Sequence, residues 1–547
     1  MHIRLHHLLS TAARQQPDAP ALTSGEVTLS YRELWQRTVT AAGHLRECGL
    51  RRGDRVGVYL DKRVETVAAI FGTSVAGGVV VPINPLLRPR QVRHILADCE
   101  VRLLVTSPER WQRLAPELAE GGSPAQVILV GDGALPDSPG PTLSRWIAEP
   151  AGSATPGAAE PAGSATPRAA EPASSAPPGD AGLEPVGTDL DPAAIFYTSG
   201  STGAPKGVVV SHRNLLVGAD SVSGYLENSP EDVILAALPL SFDAGFSQLT
   251  TGFCAGAQVV LHNYLLPGDV VRACLTHQVT GLTAVPPLWI KLTEQQWPPQ
   301  ARQRLRYFAN TGGRMPKTVL ERLRATFPTA RPYLMYGLTE AFRSTYLDPA
   351  QVDLRPDSIG KAIPNAEILV VRPDGTLCEP GEPGELVHRG PLVALGYWND
   401  PERTAQRFRP VPGRHPALST PELAVWSGDT VVRDEAGYLY FVGREDELVK
   451  TSGYRVSPTE IEEVAYGSGL VGDAVAFGVD DPALGQHIVL VVTPATGVSL
   501  APATLHSVLK RQLPLYMVPK RIVVREEIPR SPNGKFDRSR LRAEVDQ

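Results

Sequence analysis

The stretch Tyr197-Thr-Ser-Gly-Ser-Thr-Gly-Ala-Pro-Lys-Gly-Val208 decides the fold, and the apolar run Ala193-Ala-Ile-Phe196 leads into it. An apolar run that breaks into Ser, Thr and Gly reads as a buried strand opening into a loop. Backbone N–H groups in such a loop, with the hydroxyls of Thr198, Ser199, Ser201 and Thr202, can face the oxygens of an anion. Gly200, Gly203 and Gly207 let the backbone bend tightly and come close to it. Lys206 adds a positive charge suited to a polyphosphate. The loop is not the common G-x-x-x-x-G-K-[ST] phosphate loop, because Gly207 follows Lys206. A flexible Gly/Ser linker is the plain alternative; twelve residue types in this order are hard to obtain from composition alone.

On the N-terminal side, LSYRELWQRTVTAAGHLRECGL carries apolar residues at helical spacing and ends near Gly49. RVGVYL reads as a short buried strand, and AAIFGTSVAGGVVVPIN as a helix running into another strand. Strands alternating with helices predict βα units and parallel-rich sheets flanked by helices. Residues 149–187 differ: EPAGSATPGAA is followed by EPAGSATPRAA and then EPASSAPPGDA, a tandem Ala/Pro/Gly/Ser repeat. It has little to bury and reads as a disordered insertion tolerated on the surface. Beyond it, TEIEEVAYGSGLV, DAVAFGV, HIVLVVTP, ATLHSVLKRQL and RIVVREEI alternate helix and strand patterns. The expected organisation is a large domain over 1–445 and a small, mobile α+β domain over 447–547.

The bulk numbers exclude other classes. Lys+Arg 53 against Asp+Glu 58 gives a formal net charge of −5, so no basic excess calls for nucleic acid. No run of 18 apolar residues offers a membrane span. MHIRLHHLLSTAARQQ lacks the apolar core of a signal peptide and reads as the first helix. The five cysteines are scattered without CxxC spacing, which predicts reduced thiols in a cytoplasmic protein.

YTSGSTGAPKGVVVSHRN resembles the AMP-binding signature of the adenylate-forming superfamily: acyl-CoA synthetases, peptide-synthetase adenylation domains and firefly-type luciferases. Five further motifs follow in order, and the resemblance runs over about residues 20 to 540 apart from the insertion. Asn310-Thr-Gly-Gly313 is similar to the family's adenine-side turn, with Gly312 and Gly313 as its backbone, although Arg314 stands where the family usually has an acid. In Met335-Tyr-Gly-Leu-Thr-Glu340 the resemblance implies that Tyr336 packs on adenine beside Gly337, Thr339 touches the α-phosphate and Glu340 holds Mg²⁺. A hard cation suits that carboxylate. Trp426-Ser-Gly-Asp429 resembles the ribose-binding segment, since a carboxylate can accept from both hydroxyls of a diol. Phe441-Val-Gly-Arg444 stands at the family's spacing for a second ribose contact. Arg444-Glu-Asp446 resembles the hinge, with Asp446 as pivot and Gly453 beyond it lining the thiol's approach. Pro532-Asn-Gly-Lys535 resembles the catalytic-lysine motif, Lys535 reaching the carboxylate and α-phosphate.

The implied reaction uses ATP and Mg²⁺ to convert a carboxylic acid to an acyl-adenylate and then acylates a thiol. It needs positioning and charge neutralisation, with Lys206, Thr339, Glu340 and Lys535 in the catalytic roles. Phe242-Asp243 matches the amino-acid-activating branches, in which the Asp binds the substrate ammonium. An alternative stays open: Arg343, three residues past Glu340, could neutralise Asp243. If it does not, Arg343 could bind a second polar group of the substrate. Phe242, Ala244, Ser247, Pro287, Thr311, Met335 and Ser344 are the other candidates for the pocket wall. LPLSFDAGFSQLTTGF, LHNYLLPGDV, TAVPPLWIKL and MYGLTEAFRSTYL are also similar to the acyl ligases associated with exosortase A systems. The expected acceptor is an acyl or peptidyl carrier protein supplied in trans, with coenzyme A as the alternative. A non-catalytic acyl- or nucleotide-binding relative is the remaining reading, and the intact Lys206, Glu340, Asp429 and Lys535 argue against it.

Overall fold

The structure is a computed structural model and describes residues 2–118, 124–131, 141–146, 187–198, 205–413, 417–444, 449–451, 454–456, 458–481, 484–513, 515–531 and 535–545. The repeat insertion, apart from Gly187, and the expected pivot Asp446 lie outside them.

The helical and strand readings around the phosphate loop fall where the periodicity put them. The first helix is His7–Gln15, and the amphipathic stretch forms Tyr31–Glu47. Ser30 and Glu33 close the N-terminus of that second helix in a reciprocal capping box, and the chain leaves it through Gly49 at φ +82°. Arg55–Tyr59 is a strand, Val64–Ala76 a helix and Val79–Pro82 the next strand. Every residue of Val64–Ala76 except Glu65 is buried. A helix apolar on all sides is stable only when covered on all sides.

One sheet runs Gly396–Tyr397, Lys206–Ser211, Pro192–Thr198, Val79–Pro82, Arg55–Tyr59, Leu103–Thr106, Gln126–Leu129, Thr142–Arg145. It is parallel except at its first two pairings, where Pro192–Thr198 turns back on Lys206–Ser211 and Gly396–Tyr397 caps the edge. A second, larger sheet has two halves. Strands Pro20–Ser24, Gln258–Leu261, Val233–Ala236, Gly281–Ala284, Tyr307–Asn310 and Arg331–Tyr336 are parallel neighbours. From Thr345–Leu347 onward every pairing is antiparallel, through Ser358–Ala362 to Leu423–Arg433 and Glu367–Val371. The expectation of parallel-rich sheets holds for the smaller sheet and for the first part of the larger one, and the rest of the larger sheet is antiparallel. Short connections such as Ala362 to Glu367 and Arg433 to Leu439 join several of these strands, and a tight turn can join only antiparallel neighbours.

A third sheet, built from Val449–Thr451, Tyr454–Val456, Val471–Asp481, Gly485–Pro494 and Arg521–Val524, packs with helices Pro458–Gly467 and Pro502–Gln512 around its own apolar cluster. Among the described residues no helix is long and apolar enough to cross a membrane.

Candidate active site

Thr198 and Lys206 face each other across the hairpin that the phosphate loop closes. Ser199, Gly200, Ser201, Thr202 and Gly203 lie outside the described residues. The Thr198 hydroxyl is buried with no hydrogen-bond partner among the described residues. A buried hydroxyl left unpaired costs free energy, and a phosphate oxygen at this loop would satisfy it.

The Lys206 ammonium donates to the Tyr397 hydroxyl at 2.7 Å and to Glu340 Oε1 at 3.2 Å. The Tyr397 hydroxyl donates to the same Glu340 oxygen at 2.6 Å, and the Lys206 nitrogen lies 4.2 Å from the centre of the Tyr397 ring. Glu340 sits in the short 3₁₀ turn Thr339–Ala341 and is buried. Burial opposes its charge, but Lys206, Tyr397 and Arg407 outweigh burial and hold the carboxyl below its ordinary range. Glu340 is therefore an anion in a nearly dry site, a donor suited to Mg²⁺ beside phosphate oxygens. Burial, and then the charge of Glu340, push the Tyr397 phenol upward, so it keeps its proton.

A second group of expected site residues gathers at the end of Arg331–Tyr336. The Tyr336 hydroxyl donates to buried Asp429. Arg444 ends the neighbouring strand directly across from Asp429, and the Phe441 ring lies 6.3 Å from that of Tyr336. The glycine turn stands nearby. Gly312 has φ +74°, and a Cβ there would lie 3.2 Å from Val285 and 3.9 Å from Cε of Lys535. Lys535, an exposed residue near the C-terminal end, thus comes up to the glycine turn despite lying more than 200 residues along the chain. Arg314, where the family has an acid, pairs at 2.5 Å with Asp357, which also pairs with Lys317 at 2.7 Å.

The acid-side recess begins at the N-terminus of helix Asp243–Ala255. Asp243 accepts from the Thr339 hydroxyl at 3.2 Å and lies 4.0 Å from Nη1 of Arg343. The same Nη1 donates to Thr311 at 2.7 Å, and Nε of Arg343 is buried without a partner among the described residues. A classic γ-turn aims Arg343 here: Phe342 has φ +59° and ψ −69°, and the Arg343 N–H donates to the Ala341 carbonyl at 2.6 Å. Such a turn costs about 1–3 kcal/mol. Two tight contacts hold it. The Phe342 ring fills the space a Cβ of Gly218 would take, and Gly337 leaves only 2.9 Å between its own missing Cβ and Arg343 Cα. Val222, Ala244, Ser247, Thr283, Met335 and Arg343 line the recess, whose free volume is about 10 Å³, close to one water.

Of the residues expected on the wall, Ala244, Ser247, Met335 and Arg343 line this cavity, and Asp243, Thr311, Ser344, Phe242 and Pro287 do not. Ser344 points into the interior and bonds Nδ1 of His388 at 2.9 Å, because it follows the γ-turn and its side chain leaves on the opposite side from Arg343. Phe242 is half-buried outside the recess lining, and Pro287 is also absent from it. Asp446 and Gly453, like the Arg444 side chain, fall outside what is described.

The sequence reading missed Tyr397 and Lys62. Tyr397 lies in a two-residue strand beside Val208, and the only local signal is an aromatic residue after Gly396. The Lys62 ammonium caps the carbonyls of Ala236 and Ala237 at 2.9 and 2.8 Å, at the end of the strand that leads to Asp243. Burial pushes its pKa down to about 7.

The Lys206–Glu340 pair beside the glycine-rich hairpin, Tyr336 against Asp429 and Asp243 near Arg343 make an arrangement suited to an AMP-forming ligase. The chain belongs to the AMP-binding enzyme family: that family's model matches residues 9–398, and the model of its C-terminal domain matches 460–535. Among curated relatives, it is 33% identical to the L-proline--[L-prolyl-carrier protein] ligase of Streptomyces coelicolor over 94% of this chain and 92% of that one. It is 29% identical to a long-chain-fatty-acid--CoA ligase of Salmonella typhimurium over 99% of this chain and 94% of that one. It is also 29% identical to the delta-poly-L-ornithine synthetase of Acinetobacter baumannii over 98% of this chain, but it spans only 36% of that protein's length. In fold it is similar to the ATP-bound structure of MatB from Rhodopseudomonas palustris, with a TM-score of 0.79, 23% identity and 99% of both chains covered.

Proposed function

We propose that this chain activates an amine-bearing carboxylic acid with ATP and passes the acyl group to the phosphopantetheine thiol of a carrier protein. A carboxylate oxygen of the acid attacks the α-phosphorus, the bond from that phosphorus to the bridging oxygen breaks, and pyrophosphate leaves. The thiol sulfur then attacks the acyl carbon, AMP departs, and the thiol proton goes to solvent. Mg²⁺, when bound, would offset charge on the triphosphate. Thr198 and Lys206 with the loop between them face the phosphates, Tyr336 and Phe441 take the base, and Asp429 with Arg444 takes the ribose. Lys535 supports the charge that grows as pyrophosphate departs. A rotation about Asp446 would exchange Lys535 for the thiol approach near Gly453 between the two steps.

The observation that carries the choice of acid is the unfinished coordination of Asp243. Its guanidinium neighbour lies 4.0 Å away, beyond hydrogen-bonding distance, and its close side-chain donor among the described residues is a threonine hydroxyl. An ammonium at Asp243 would complete the set, and charge-assisted bonds of this kind are the strong ones. Nε of Arg343, buried and unmatched among the described residues, suits an acceptor elsewhere on the same substrate. The prolyl-carrier-protein ligase supports a carrier acceptor, and the fatty-acid--CoA ligase supports coenzyme A as the second reading.

A pyrophosphate-release screen pairing each amino acid with its deaminated counterpart tests the proposal. The expected result is turnover with at least one amine-bearing acid about a hundredfold above its counterpart. Turnover confined to amine-free acids would remove the ammonium from Asp243. Adding coenzyme A or a phosphopantetheinylated carrier to the active pair then separates the acceptors.

A further inference from the structure

We infer that Tyr397 is a positioning residue that sets the metal-facing carboxylate and the phosphate-facing ammonium as one unit. The inference rests on reading Glu340 as the Mg²⁺-side carboxylate, and it adds a residue outside all the motifs that support that reading.

Hydrogen-bond polarity among the three groups is fixed. An ammonium only donates and a carboxylate only accepts, so the phenol must accept from Lys206 and donate to Glu340. Both contacts to Glu340 fall on Oε1, which leaves Oε2 for a cation. The hydroxyl bonds both groups, and together with the direct Lys206 contact and the nearby Arg407 guanidinium it sets which carboxylate oxygen is taken and where the Lys206 ammonium rests.

The backbone around Tyr397 is held from four sides. Asn214, in the helix that follows the phosphate-loop hairpin, donates to the carbonyls of Pro391 and Val393 at 2.7 and 2.9 Å. The Ala394 N–H donates to the Glu340 carbonyl at 2.9 Å, and the Leu395 N–H to the Val209 carbonyl at 2.8 Å. The Tyr397 N–H donates to Thr404 Oγ1 at 2.9 Å, and its ring packs edge-on against Phe408 at 5.6 Å. Gly396 at φ +131° leaves no room for a side chain, since a Cβ would lie 2.7 Å from Thr404. The hydroxyl is thus delivered by a rigid segment. A group so placed fixes geometry without reorganising as the reaction proceeds.

Tyr397→Phe keeps the ring, its packing on Phe408 and its face toward Lys206, and removes only the oxygen. The readout is binding of Mn²⁺, used as a spectroscopic substitute for Mg²⁺, by paramagnetic resonance in the presence of a non-hydrolysable ATP analogue. The variant should melt within about 2 °C of the parent, while the Mn²⁺ concentration for half-saturation rises about tenfold or more. In a Glu340→Gln background the same change should shift that midpoint no further. An unchanged midpoint in the single variant, or an undiminished shift in the double variant, would overturn the inference. Failure of the parent protein to bind Mn²⁺ with the analogue would instead sink the reading of Glu340 itself.

Discussion

Replacing Lys535 with alanine should lower acid-dependent pyrophosphate release by about 10²- to 10³-fold, the cost of deleting one charged group from a transition state. Transfer to the thiol from chemically supplied adenylate should stay within about threefold of the parent enzyme. The expectation rests on where the chain delivers this lysine. The Ser531 N–H donates to the Lys535 carbonyl at 2.7 Å, and the Cε of Lys535 approaches the turn at Gly312. In the proposed reaction, an ammonium there would meet the acid and the α-phosphate only while the C-terminal unit keeps this position. The thiol step needs no such charge, because AMP leaves from an adenylate already formed. Equal losses in both half-reactions would show that Lys535 acts by holding the fold or the nucleotide rather than the first transition state.

Asp243→Asn should cost the preferred amine-bearing acid about 10²- to 10³-fold in kcat/KM and its deaminated counterpart about tenfold or less. The substitution keeps the shape of the side chain and its acceptor for Thr339, so the loss reports charge. It also takes away the anion that lies 4.0 Å from the Arg343 guanidinium, itself buried at 2% exposure. An unpaired buried cation is costly, and an acid bearing a second carboxylate should therefore be tolerated better by the variant than by the parent. Equal losses for both members of a pair would mean that Asp243 serves to neutralise Arg343 and never meets an ammonium.

The motifs legible in the sequence are those in which neighbouring residues do the work. Gly312 at φ +74° and the hairpin register of Thr198 with Lys206 depend on a few consecutive residue types, so their chemistry shows in a short window. Asp429 and Arg444 were marked by their resemblance to family motifs, and the antiparallel pairing that sets them opposite each other came from the structure. The interior of the site was not legible. Tyr397 meets Lys206 across 191 residues, and only sheet order brings them together. The γ-turn at Phe342 depends on a missing Cβ at Gly218, on a helix elsewhere in the chain. That turn decides that Arg343 enters the recess while Ser344 leaves it, a split that position relative to Glu340 alone could not resolve. The antiparallel half of the larger sheet was missed because alternation along one strand does not name its neighbour.

Oxygen-18 transfer tests the central claim most directly, with the acid identified by the screen and both carboxylate oxygens labelled. If this acid's carboxylate attacks the α-phosphorus, as the placement of Lys206, Glu340, Asp429 and Lys535 implies, one labelled oxygen should appear in AMP after thioester formation, and none in pyrophosphate. Label in inorganic phosphate or pyrophosphate with none in AMP would mean attack at another phosphorus, and would contradict the account.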